Sequence, residues 1–244
     1  MPESPFPPAR SFVPRLTRKE TVIGWIYLPI HVFLLPILLN VLQVVYPGDA
    51  ISDITLDLAY YAVGLAAVGV CFLRLLRREF DRLCDRLILC VYTYATGWIL
   101  CWTLTYLMGL ILMILGTELE NPNNAAIGEL MVNNYGRMLA VSVVGAPIVE
   151  EVLFRGVVFQ SLRKRNRVLA YVVSVALFSL YHVWSYAIAA GDPKVLLYAL
   201  QYVPLTLILT WTYERSGSLW TAIAFHSSYN FLAMYLTQQL QMIS

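Results

Sequence analysis

Seven apolar, charge-poor runs alternate with short polar connections along the chain, at residues 21–46, 54–73, 87–115, 138–162, 168–190, 195–213 and 219–240. Each is about as long as the 20 residues an α-helix needs to cross a bilayer. A bilayer core holds no water to satisfy backbone N–H and C=O groups, and a helix satisfies them within one segment. The pattern therefore predicts an all-α fold, a polytopic membrane helix bundle with about seven transmembrane helices. The third run is the longest. At about 1.5 Å per residue it exceeds a hydrocarbon core of about 30 Å, so it should tilt or protrude.

Composition agrees with this pattern: 59% of the 244 residues are hydrophobic and 13% charged, outside the range of soluble globular domains. Basic residues fall unevenly among the connections. Arg10, Arg15, Arg18 and Lys19 precede the first run; Arg74, Arg77, Arg78, Arg82 and Arg86 follow the second; RKRNR (163–167) follows the fourth. The intervening connections YPGDAISD, TELENPNN and AAGDPK hold one lysine between them. By the excess of arginine and lysine in cytoplasmic loops, the N-terminus lies inside. Residues 1–20, proline-rich and polar, read as a flexible cytoplasmic tail. A net charge of +2 is too small to imply an anionic partner, and no nucleic-acid-binding module is visible. Cys71, Cys84, Cys90 and Cys101 have neither disulfide-framework nor zinc spacing and read as small apolar side chains.

The fourth run is interrupted by APIVEEVLFRG (146–156), two adjacent carboxylates and an arginine in a membrane-like segment. Ionisable groups at mid-membrane cost at least about 2–3 kcal/mol each, so they usually face a protein interior or aqueous cavity and serve a function. Glu151 and Arg155 are four apart and share a helix face, which permits a salt bridge. Glu150 is then left to address a different neighbour. Candidates come from two further pairs at the same spacing, Phe178 with His182 in the fifth run and His226 with Asn230 in the seventh. A lone histidine on an apolar helix is more often a satisfied core residue, but two histidines, an amide and a glutamate on three helices point to one polar cavity.

The series EExxxR, FxxxH and HxxxN on successive helices resembles the CPBP intramembrane proteases. That family includes the type II CAAX prenyl endopeptidases and bacterial bacteriocin-processing and immunity proteins of the Abi-like kind. The residues are Glu150, Glu151 and Arg155; Phe178 and His182; His226 and Asn230. The resemblance covers roughly 135–240, an intramembrane protease core, and leaves 21–134 as N-terminal transmembrane helices without a recognised motif. It implies an intramembrane endopeptidase, with Glu150 activating water. A carboxylate in low dielectric beside a committed neighbour suits general-base work. His182 would orient the water or share its proton, and His226 and Asn230 would hydrogen-bond the developing oxyanion. Glu151, Arg155 and Phe178 would support the geometry.

Glu150, His182 and His226 also form a His2Glu set, the ligand types of some catalytic zinc sites, and the family's usual label is metalloprotease. No HExxH is present, and using Glu150 as a ligand would leave only the salt-bridged Glu151 as a nearby base. A metal-free site is favoured, with no cofactor required and a divalent metal such as zinc as the alternative. Depth argues against convergence. Counted from the inner boundary, Glu150 and His182 lie at roughly 20 Å but His226 at roughly 10 Å, unless the start of the last helix, SGSLW, is itself sunk.

His31, between Pro29 and Pro36, reads as a local helix feature. Gln201, Pro204 and Thr206 line a substrate path or accommodate a kink. The expected partners are a protein or peptide substrate, which is membrane-associated or lipidated, or a peptide precursor, and the lipid bilayer. The short loops without a retention signal point to a multi-pass protein of a bacterial cell membrane. Two other functions remain open. One is a non-proteolytic immunity or peptide-binding membrane protein; the other is a proton-coupled transporter, although no inverted repeat is visible.

Overall fold

The computed structural model describes residues 12–46, 51–116 and 121–243, and among these every regular element is helical. Helix α1 (Arg18–Val45) starts at a capping box, in which the Thr17 side chain accepts from the Glu20 backbone and Glu20 returns a bond to the Thr17 N–H. It widens into a π-helical turn at Ile30–Leu34, directly after Pro29, whose missing N–H cannot continue the α-helical ladder. Helices α2 (Asp53–Asp85) and α3 (Leu87–Ile114) follow, separated only by Arg86.

Helix α4 (122–163) begins at Asn121, whose side chain accepts from Asn124 N at 3.0 Å. Its start overlaps the expected connection TELENPNN (117–124), and it begins well before the expected run at 138. Residues 122–137 are helical, with a kink at Asn134 (φ −135°, ψ 29°). Helix α5 (Arg167–Tyr181) and the short α6 (Trp184–Ala190) meet at 45°. Helix α7 (Pro193–Ser216) is wound as 3-10 helix over Pro193–Tyr202, and Gly217, at φ +75°, ends it in the left-handed region that glycine adopts without a Cβ clash. Helix α8 (Leu219–Ile243) is the last among the described residues.

Helix α4 is the centre of the bundle. It packs against α1, α2, α5, α7 and α8, and every residue from Glu151 to Gln160 is buried. A helix enclosed on all sides is one whose whole surface can be apolar. Helix α3 lies at the opposite extreme, with Ile88, Ile99, Tyr106 and Ile114 each more than two-thirds exposed on its outer face. Such a surface suits lipid.

Four helices among the described residues are long and apolar enough to cross a membrane, Arg18–Val45, Asp53–Asp85, Leu87–Ile114 and Pro193–Ser216; the bent pair α5 and α6 makes a fifth if taken as one span. Seven were expected. The expected runs 138–162 and 219–240 do lie in helices, but Glu150, Glu151 and Arg155 interrupt the first, and the polar stretch His226–Asn230 dilutes the second. The residues that make these helices chemically interesting also lower their apolar content.

The basic segments gather at one end of the bundle. Of the tail expected at 1–20, residues 1–11 lie outside the described residues, and the rest is held down. Gln160 Oε1 accepts from Arg15 N at 2.6 Å and Leu16 N at 3.1 Å, Lys164 donates to Leu16 O at 3.1 Å, and Arg78 pairs with Glu20 at 2.6 Å. Nearby, Arg163 and Arg167 converge on Glu214 at 2.6 and 2.8 Å.

Candidate active site

The two acids sit where α4 changes winding. A π-helical turn over Ala140–Gly145 precedes Pro147, whose absent donor accounts for it, and a second π-helical stretch runs over Glu151–Phe159. Glu150 is the last residue before that stretch and Glu151 its first. Both are buried, as is Arg155.

Arg155 Nη1 donates to Glu151 Oε1 at 2.8 Å, so the i, i+4 pair meets as the spacing predicts. The same guanidinium extends further. Its Nη2 donates to Thr206 O at 3.1 Å and to Thr206 Oγ1 at 2.6 Å, and its Cζ lies over the Phe178 ring, 4.3 Å from the centre. Arg155 therefore ties α4 to α7 while stacking on α5, which uses the planar fork that a lysine lacks. Thr206 receives this arginine through its carbonyl and hydroxyl oxygens.

His226 lies between the two carboxylates. Its Nδ1 is 2.9 Å from Glu151 Oε1 and its Nε2 is 3.9 Å from Glu150 Oε2. An ionised carboxylate only accepts, so Nδ1 carries the proton and Nε2 is the nitrogen turned towards Glu150. His182 is fixed by similar logic. Its Nδ1 lies 2.9 Å from the Phe178 carbonyl, which can only accept, leaving Nε2 as its second functional nitrogen; the ring stacks on Tyr202 with centroids 4.4 Å apart. Asn230 donates from Nδ2 to Ser142 O at 2.8 Å, which joins α8 to the first π turn of α4.

Glu150, Phe178, His182, His226 and Asn230 all line one cavity of about 1090 Å³, which extends from Glu150 to the end of the bundle marked by Asp53 and Asn121. Glu151 and Arg155 are not among its lining residues. Glu150 Oε2 accepts no hydrogen bond from the protein. Glu151 Oε2 has none either, but it does not adjoin the cavity.

The depth mismatch expected for His226 does not arise. Helix α8 starts inside the bundle, with Ser216, Ser218 and Leu219 buried. Glu79 of α2 holds it there: Oε2 accepts from Leu219 N at 3.0 Å, Oε1 from the Tyr213 hydroxyl at 3.1 Å, and the Glu79 carbonyl from Ser218 Oγ at 2.8 Å. The start of α8 is thus packed within the protein, and His226 Nε2 comes within 3.9 Å of Glu150 Oε2.

Two residues outside the motifs belong to this arrangement. Tyr61 donates to Glu150 Oε1 at 2.9 Å, so the neighbour of that glutamate is a phenol from α2 as well as an imidazole from α8. Glu79 is the other. In sequence it sits in RREFDR and reads as part of a solvated charge run, whereas α2 continues unbroken to Asp85 and buries it. His31 is buried and stacks on Tyr60 at 4.5 Å, while its carbonyl accepts from the Tyr60 hydroxyl at 3.0 Å.

Among the described residues no group of three or more His, Cys, Asp or Glu side chains is placed to hold a metal ion. Of the Glu150, His182 and His226 set, only His226 has a ring nitrogen within 4 Å of the Glu150 carboxylate, and each imidazole keeps Nε2 as its uncommitted nitrogen.

Comparison with known proteins places the resemblance on the same part of the chain. A family model described as type II CAAX prenyl endopeptidase Rce1-like matches residues 133–232. Two curated proteins of Lactococcus lactis subsp. lactis are similar over shorter stretches. The UPF0177 protein YxdF is 32% identical over 87 residues, covering 34% of this chain and 41% of the relative. The UPF0177 protein YbdI is 30% identical over 95 residues, covering 38% and 44%. The chain thus spans about two-fifths of the length of these curated relatives. No solved structure gives a significant match. Over residues 133–232, which hold all three motifs, the chain is similar to the type II CAAX prenyl endopeptidase Rce1-like family, as the motifs imply.

Proposed function

We propose that the protein is an intramembrane endopeptidase that hydrolyses a peptide bond in a membrane-associated protein or peptide, with Glu150 as the group that activates water. The observation that carries this reading is the position of Glu150 Oε2. It accepts no hydrogen bond from the protein, belongs to a residue lining the cavity, and lies 3.9 Å from His226 Nε2.

In the proposed reaction Glu150 takes a proton from water as the water oxygen bonds to the substrate carbonyl carbon, and the carbonyl electron pair moves onto its oxygen. The second Asn230 amide proton, and His226 Nε2 when that ring is protonated, are the donors for the oxyanion. Glu150 then returns the proton to the amide nitrogen as the C–N bond breaks, giving a carboxylic acid, which keeps the other water proton, and an amine. His182 Nε2 orients the water. Glu151, shared between Arg155 and His226, fixes the ring that faces Glu150, and no step requires a metal.

Glu150→Gln keeps the shape and removes the base. Wild type and variant are compared by membrane proteomics of producing cells and by cleavage of an internally quenched peptide in detergent micelles. The expected result is accumulation of an uncut membrane substrate and a fall in cleavage of roughly a hundred- to ten-thousand-fold. Cleavage by the variant at the wild-type rate would overturn the reading.

A further inference from the structure

Tyr61 lies on α2, outside residues 133–232, yet its hydroxyl reaches Glu150 Oε1 at 2.9 Å. We infer that Tyr61 is a positioning residue for Glu150, so that the working site is completed by a helix beyond the family-matched segment. This rests on the reading of Glu150 as the water-activating group.

Three observations carry the inference. First, the bond is selective. A carboxylate has two equivalent oxygens, and Tyr61 occupies one while the other stays without a protein donor and belongs to a cavity-lining residue. The contact fixes which oxygen is presented. Second, the direction of the donor chain is set. The Tyr60 proton goes to the His31 carbonyl at 3.0 Å and the Tyr61 proton goes to Glu150. The Tyr181 hydroxyl lies 3.0 Å from that of Tyr60 and 3.5 Å from that of Tyr61, so its proton is the one able to serve either acceptor. When it points to Tyr61, the Tyr61 hydroxyl becomes a stronger donor to Glu150.

Third, the approach of α2 to α4 depends on two glycines. A Cβ at Gly145 would lie 3.1 Å from Tyr61 Cβ, and one at Gly64 would lie 3.0 Å from Val149 Cγ2 and 3.3 Å from His31 Cε1. Each helix therefore admits a side chain of the other where it lacks its own, on both sides of the Tyr61–Glu150 contact. Small residues let membrane helices approach closely, and here the approach is what brings the phenol within reach.

The test compares Tyr61→Phe with Tyr94→Phe in the full-length protein. Tyr94 also donates one hydroxyl bond between helices, to Ser228 Oγ at 2.9 Å, but it does not line the cavity. Infrared spectra of wild type minus Glu150→Gln isolate the Glu150 carboxyl bands. The expected result is that Tyr61→Phe shifts those bands and lowers kcat on the quenched peptide roughly ten- to hundred-fold with KM unchanged, whereas Tyr94→Phe does neither. Gly145→Ala, which keeps the hydroxyl but crowds Tyr61, should shift the same bands and serves if Tyr61→Phe fails to fold. Bands that do not move in either variant would overturn the proposal, as would a band shift with kcat intact. If Glu150→Gln itself stays active, it is the hydrolase reading that fails, and the band shift then reports only the contact.

Discussion

Glu79 and Glu150 are both buried glutamates on membrane-embedded helices, and their surroundings differ in one decisive respect. Both carboxylate oxygens of Glu79 accept hydrogen bonds, from Tyr213 and from the first amide of α8, and the residue does not line the cavity. Glu150 has one oxygen held by Tyr61 and the other without a protein donor. Burying a carboxylate is costly unless its lone pairs are met. At Glu79 the cost is offset by fastening α7 and α8 to α2. At Glu150 part of it is left standing, on a residue that lines the cavity. Glu151 also has one oxygen without a partner, so what sets Glu150 apart from both other acids is that its unfilled oxygen belongs to a cavity-lining residue.

The largest effect expected from this contrast is in activity. Glu150→Gln should lose roughly a hundred- to ten-thousand-fold in cleavage, while Glu79→Gln, assayed per folded molecule, should stay within about threefold of wild type. Equal losses in the two variants would break the distinction.

Much of this site was legible because its motifs are local. Glu151 with Arg155 and Phe178 with His182 are i, i+4 pairs on single helices, and the structure joins each of them, the second through the Phe178 carbonyl. Tyr61 and Glu79 were not legible, because their partners lie 89 and 140 residues away. Nothing at either position marks them, since Tyr61 is one of 16 tyrosines and Glu79 sits among arginines. The helical fold followed from the length of the apolar runs, but span boundaries did not. The connection read at 117–124 overlaps a helix start, because an asparagine cap and a proline at the first helical position begin α4 at 122, ahead of the apolar run at 138. The depth count for His226 did not anticipate its approach to Glu150, because counting residues from span ends ignores how the helices pack, and the start of α8 is buried against Glu79.

A smaller effect, on stability, follows for Glu79→Ala. It leaves the Tyr213 hydroxyl and the Leu219 N–H without their acceptor, at about 1–3 kcal/mol each. For a chain of this size that lowers the melting temperature by roughly 5–20 °C, read by thermal denaturation in detergent. Glu79→Gln keeps one accepting oxygen and should lose about half as much. If Glu79→Ala melts like wild type but no longer cleaves the peptide, Glu79 belongs with Glu150 and not opposite it.

The smallest expected effect is the most discriminating. In Glu150→Gln the amide oxygen still accepts from Tyr61 and the amide nitrogen takes the place of the oxygen that has no donor, so no protein hydrogen bond is lost. A buried charge is also removed, and active-site residues are often kept at some cost to stability. The melting temperature should therefore stay within about 3 °C of wild type, or rise. A fall comparable to that of Glu79→Ala would mean that Glu150 Oε2 is held by something structural, such as a tightly bound water linking it to His226. The loss of cleavage in the same variant would then reflect a damaged scaffold, and the contrast between the two glutamates would disappear.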